Sequence, residues 1–308
     1  MIQSDTPISE TERKELQERA AHIKIGFFDI DGTLLSFKTH EIPPSTLNAL
    51  VQLHERGVLL YIASGRAPFQ LPKIILHGEG DFKGFDGFLC NSGQICMDMR
   101  GVFRKVPLDP DDVAIAKANA QKHGFDLSAM TDSSLHVNHM GPRVKKLQED
   151  AKVTYDGGDL EAIGDRPIFQ MNAFVDPQDE PLILEGTKHT QAVRWCDEFT
   201  DLIPAEGGKD VGIKAVLDHY GFTQEESVAF GDGGNDATML AFTGLGIAMG
   251  NADFRAKDVA NIITADIEDN GVYKACVALG LIKDELNLCA DIIITKTERA
   301  GHNVYLIQ

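Results

Sequence analysis

The near-continuous apolar run IKIGFF at residues 23–28, broken abruptly by the acidic turn DIDGT at 29–33, constrains this chain more than any other feature. A strand apolar on both faces must be covered on both faces, which is the habit of strands in parallel sheets flanked by helices. Gly32 supplies the flexible position that lets the chain turn as soon as the strand ends.

The same pattern recurs along the next sixty residues. A helical stripe runs from about Pro44 through Leu47, Leu50 and Leu53 and stops at Gly57. VLLYIAS at 58–64 is a second buried strand closed by Gly65, a helix is expected over 69–76, and GFLC at 87–90 is a third strand. Strand, helix, strand, helix, strand predicts an α/β fold with a parallel sheet and crossover helices.

The texture changes after Asn91. Two hairpin-like strands at 94–97 and 102–107 precede a helix over 111–123 and a strand from Asp126, and IFQMNAFV at 168–175 alternates as a half-buried strand. Residues 136–164 are polar and carry no clear period. This stretch, 91–203, has apolar content of its own and is read as an α+β insert. The α/β texture then resumes: a helix from Lys209 to its Gly221 stop, the strand SVAF running into GDGGND, then ATMLAFTG, LGIAM, VANIIT and NGVYKACVALG. The expected division is a polar, helical leader over 1–21 packed loosely, a core of 22–90 and 204–290, the insert, and a tail over 291–308 suited to an edge strand or hairpin.

Composition excludes several classes. With 43% hydrophobic and 25% charged residues the chain is neither disordered nor fibrous. Its formal charge of -18 disfavours nucleic acid and anionic membrane as partners, and obliges any anionic substrate to be captured by local positive groups. Five scattered cysteines without a CxxC pair, no long apolar run and no signal-type N-terminus make a reduced cytoplasmic setting the expectation.

In open α/β sheets the site lies beyond the carboxyl ends of the strands. DIDGT, SGR and GDGGND all occupy that position. Asp29 and Asp31 are separated by one residue, and carboxylates so close resist being ionised together unless a cation lies between them. Oxygen ligands of this kind suit magnesium, with Asp232 a natural further ligand and Asp236 one helical turn beyond. A carboxylate nucleophile suits phosphoryl transfer because an acyl phosphate divides one hard displacement into two easier ones. Ser64, Lys209, Asn235 and the amides after Asp31 are candidates to hold phosphoryl oxygens. Each piece alone has a bland reading: DxDG as an ordinary turn, GDGGND as a calcium loop, Ser64 as a cap, Lys209 as a solvated cation. Their joint order at strand ends outweighs those readings. HVNH at 136–139 lacks the glutamate of an HExxH helix, GEGDFKG at 78–84 lacks a GK[ST] ending, and no GxSxG elbow is present.

These motifs resemble the haloacid dehalogenase-like (HAD) superfamily, in its Cof-type sugar-phosphatase branch (subfamily IIB, C2-type cap), over about residues 23–280. The matching segments are DIDGT, ASGR at 63–66, Lys209 in GGKDVG, and GDGGND at 231–236, followed by DNGVYKA. The resemblance implies a Rossmannoid parallel-sheet core with residues 91–203 as an inserted cap that excludes water. It implies Asp29 as nucleophile, Asp31 as acid and base, and magnesium held by the Asp29 and Asp232 carboxylates and the Asp31 carbonyl. Ser64 and Lys209 would hold the phosphoryl group, with Gly32, Asn235 and Asp236 supporting phosphate and metal, and Arg66 and Asn91 close to substrate. The presence of Asp31 points to phosphatase or phosphomutase chemistry. Where relatives commonly have Asn-Gly after the third strand, this chain has Asn91-Ser92-Gly93. The expected activity is hydrolysis of a small-molecule phosphate ester, by a monomer or homodimer. A phosphomannomutase-like enzyme and a non-catalytic phosphosugar-binding protein are the alternatives.

Overall fold

The computed structural model describes residues 6–150, 154–155, 159–194 and 196–308. The first five residues of the leader and parts of the polar stretch 136–164 therefore lie outside the described residues. The chain divides into two compact units: residues 1–63, 73–87 and 213–308, and residues 64–72 and 88–212.

The first unit is built on a sheet whose central strands are Leu59–Ala63, Ile25–Phe28, Ser227–Gly231, Leu245–Ala248 and Ile262–Ile263, neighbours in that order and all parallel. Ile25, Phe27, Phe28, Val228, Ala229 and Phe230 are buried, as strands covered on both faces require. Phe28 stacks on Phe230 with ring centroids 5.1 Å apart, fixing adjacent strands in register. That register sets Phe28 opposite Phe230, so the two strands end level and their acidic turns emerge side by side.

The α/β expectation holds, with differences at the margins. VANIIT forms only the two-residue strand Ile262–Ile263. The helix expected over 69–76 is split, because Pro72 cannot donate within a helix: a short 3-10 turn Pro68–Gln70 precedes Lys73–His77. The tail forms the antiparallel pair Ile294–Arg299 and His302–Ile307, and the latter strand extends the sheet parallel to Ile262–Ile263. Thr6–Pro7 pairs with the tail in turn. The leader helix Glu10–Ala21 starts at a Ser9 capping box and is docked, not loose. Leu16 and Ala20 are buried, and Arg19 and Gln17 donate to the carbonyls of Gly244 and Ala278.

The second unit contains the hairpin Ile95–Asp98 and Gly101–Lys105, and an antiparallel five-stranded sheet. That sheet runs Thr190–Arg194, Thr200–Pro204, Gln170–Phe174, Asp126–Met130, Leu135–Val137. Leu127, Ala129, Met171, Ala173 and Leu202 share an apolar cluster with Ala116 and Ala120 of helix Pro110–His123. Gln170–Phe174 is buried along its whole length, so the half-buried expectation for this strand is corrected: Gln170 and Asn172 are buried polar residues. The unreadable stretch holds Leu135–Val137, the helix Pro142–Asp150 and a 3-10 turn Leu160–Ile163. Among the described residues no helix is long and apolar enough to cross a membrane.

Candidate active site

In the first unit, Asp29 directly follows strand Ile25–Phe28 and Asp232 follows Ser227–Gly231. The Asp29 amide donates to the Phe230 carbonyl at 3.0 Å, tying the first turn to the neighbouring strand. The turn then closes on itself: Leu34 and Leu35 donate to the Ile30 carbonyl at 3.0 and 2.7 Å, and Gly32 donates to Leu35 at 2.9 Å.

Gly32 is required here. Its φ is +88°, a region costly for other residues, and a Cβ would overlap the Asp232 carboxylate. The two acid-bearing turns are therefore in contact through a residue without a side chain. Thr33 Oγ1 donates to Asp232 Oδ1 at 2.8 Å and aims that carboxylate. Asp236 turns back, and its Oδ2 accepts from the amides of Asp232 and Gly233 at 2.9 and 2.8 Å. Carboxylate oxygens of Asp29, Asp232 and Asp236 lie within 4.8 Å of one another.

Three carboxylates packed this closely repel one another unless a cation joins them. The donor set is all oxygen, as a hard divalent cation requires. Asn235 adds a buried Oδ1 with no hydrogen-bond partner among the described residues. These residues fit a divalent metal. Asp31 stands at the head of the same turn, half-buried, outside the three-carboxylate group. A position just past a strand end suggests a solvent-facing Asp29; the residue is only 5% exposed.

Ser64, Arg66, Asn91 and Lys209 belong to the second unit. Ser64 is buried, its amide donates to Leu89, and its Oγ accepts from the Arg66 amide at 3.1 Å. Arg66 and Asn91 are neighbours through the bond from the Asn91 amide to the Arg66 carbonyl, 2.9 Å. The Asn91-Ser92-Gly93 turn has three successive left-handed residues, with φ of 48°, 53° and 92°. Gly93 packs so closely on Gly208 that a Cβ would collide with its carbonyl, which seats this turn against the residue preceding Lys209. Lys209 opens helix Lys209–Tyr220 and is 1% exposed, so its ammonium is shielded from bulk solvent.

Sequence reasoning gives no role to three residues that the geometry brings forward. Thr33 is part of the DIDGT motif, but its hydroxyl bond to Asp232 spans 199 positions. Asn251, in AMGNAD, donates from Nδ2 to the Gly32 carbonyl at 2.8 Å. Asp201, buried in the second unit, accepts from Asn172 Nδ2 at 2.6 Å.

Comparison with known proteins decides the lineage. The family model of haloacid dehalogenase-like hydrolases matches residues 26–276. The chain belongs to this family. Among curated relatives, the Bacillus subtilis protein YkrA is 32% identical over 263 residues, spanning 84% of this chain and 99% of its own length. An HMP-PP phosphatase of Yersinia enterocolitica is 27% identical over 239 residues, spanning 74% of this chain and 84% of the relative. A solved structure described as a HAD subclass IIB sugar phosphatase superposes with a TM-score of 0.78 at 31% identity, covering 84% of this chain and all of the other. The protein is a HAD-fold phosphatase of the Cof type.

Proposed function

We propose that this phosphatase depends on magnesium, acts on a sugar phosphate or a similar small phosphorylated metabolite, and works through an aspartyl phosphate at Asp29. The carboxylate group of Asp29, Asp232 and Asp236, aimed by Thr33 and closed around Gly32, is the observation that carries the reading. The subclass IIB sugar phosphatase at 31% identity supports the substrate class.

In this reading the Asp29 carboxylate attacks phosphorus, and Asp31 gives its proton to the departing alkoxide oxygen. Asp31 then takes a proton from water as that water attacks the phosphoaspartate, releasing inorganic phosphate and restoring both acids. Asp29, Asp232 and the Asp31 carbonyl would hold magnesium, which neutralises charge on the transferring phosphoryl group. Ser64, Lys209 and Asn235 hold phosphoryl oxygens, Asp236 braces the turn that carries Asp232, and Arg66 and Asn91 stand close to the leaving group. Residues 91–203 act as the cap that selects it.

Purified protein with magnesium is expected to release phosphate from p-nitrophenyl phosphate and from hexose phosphates, including mannose 6-phosphate without interconversion of its isomers. Asp29→Asn is expected to reduce turnover by at least about a thousandfold while its thermal unfolding stays close to that of the parent. Full turnover in the presence of EDTA, or in the Asp29→Asn protein, would overturn the reading.

A further inference from the structure

The link from strand Leu245–Ala248 to helix Phe254–Lys257 is only five residues long, and it is bonded to both acid-bearing turns of the first unit. The Met249 amide donates to the Gly231 carbonyl at 3.0 Å, just before Asp232, and the Asp253 amide donates to the Asp232 carbonyl at 2.8 Å. Gly250 donates to Ala265 at 3.0 Å. Those are backbone bonds that many sequences would make. The tie to the first turn is different, because it rests on one side chain.

Asn251 uses both ends of its amide. Nδ2 donates to the Gly32 carbonyl at 2.8 Å, and Oδ1 accepts from the Ile267 amide at 3.0 Å. A carboxylate cannot donate, and alanine can do neither. Asn251 is itself exposed, so its packing contributes little to the core. What it restrains is a glycine peptide, the softest point of the turn between Asp31 and Thr33. The Gly32 carbonyl and the Thr33 amide belong to one planar unit, so holding the first orients the second. Thr33 in turn carries the hydroxyl that aims Asp232.

We propose that Asn251 is a positioning residue. By clamping the Gly32 carbonyl while its own link holds the Asp232 carbonyl, it sets the spacing of the two acidic turns that would share a divalent cation. This rests on the metal reading of the Asp29–Asp232 pocket.

The test is direct binding of manganese, followed by electron paramagnetic resonance, in the parent, Asn251→Ala, Asn251→Asp and Asp232→Asn proteins. Partners that orient metal ligands are worth about tenfold or more in affinity, and about tenfold weaker binding is expected for Asn251→Ala. The sign for Asn251→Asp is decisive. If charge alone mattered, an added carboxylate near the pocket would tighten binding; as a clamp that can no longer donate, it weakens binding at least as much as alanine. With p-nitrophenyl phosphate, kcat is expected to fall by a similar factor while KM moves less than about twofold and the melting temperature stays put, since an exposed side chain adds little stability. Manganese affinity within about twofold of the parent in both Asn251 variants, or tighter binding by Asn251→Asp, overturns the proposal. If the parent and Asp232→Asn bind manganese equally, the metal reading falls and the proposal with it, a result distinct from failure of the clamp alone.

Discussion

Asp201 shows how one buried carboxyl can reach the behaviour of a whole protein. In the second unit Ser128, Asn172 and Asp201 sit opposite one another on three adjacent strands. Ser128 Oγ donates to Asn172 Oδ1 at 2.8 Å, and Asn172 Nδ2 donates to Asp201 Oδ1 at 2.6 Å. Burial pushes the Asp201 carboxyl up to about 7, and the bonds from Asn172 and Gln170 and the charge of Lys209 only partly offset it. A carboxyl with a raised folded value binds its proton more tightly folded than unfolded. Its contribution is therefore most favourable below the ordinary carboxylate range and is lost as pH climbs from there to about 7. Asp201→Asn keeps the acceptor for Asn172 and removes the ionisation. Between pH 5 and pH 8 it is expected to gain stability relative to the parent, by as much as about 3 kcal/mol as a ceiling. Urea denaturation at both pH values checks this, and parallel pH dependence of the two proteins would refute it. At Gly32 the expectation is simpler. Gly32→Ala places a Cβ into the Asp232 carboxylate at a φ of +88°, so manganese binding in the same resonance assay is expected to drop below detection.

At the scale of elements, the leader helix concentrates its docking in few side chains. Glu10–Ala21 is polar nearly all round, and only Leu16 and Ala20 are buried. Leu16→Ala is expected to cost about 2–4 kcal/mol by chemical denaturation, while changes on the solvated face cost a few tenths. A Leu16→Ala loss below about half a kilocalorie would mean that Leu16 does not carry the docking of this helix. Elements are legible in the sequence where burial is total or periodicity clean. IKIGFF, VLLYIAS and SVAF can be read because strands covered on both faces leave unbroken apolar runs. The strand Gln170–Phe174 is visible but its environment is not, since alternation cannot distinguish solvent from a buried polar row. The tail pair has no readable place in the sheet, because strand propensity says nothing about which neighbour a strand will find.

For the molecule as a whole, a charge of -18 sets the long-range field that an anionic substrate meets. Repulsion between exposed charges is screened within about 8–10 Å at moderate salt, whereas buried groups such as Lys209 are screened much less. Raising sodium chloride from about 20 to 200 mM is therefore expected to lower KM for p-nitrophenyl phosphate, with little change in kcat. A KM that rises with salt would show that local positive groups dominate the approach as well as the capture.

By itself the sequence determined the strand-by-strand α/β plan, the order of the acidic motifs, and the placing of Asp29 and Asp232 at strand ends, because apolar runs, turn glycines and chain order are local properties. Only the tertiary structure decided how the first turn is held. Thr33 reaches Asp232 across 199 positions, and Asn251 reaches Gly32 across 219. Hydrogen bonds between segments so far apart leave no periodicity to read, and an amide that clamps a glycine carbonyl is written no differently from one that faces water.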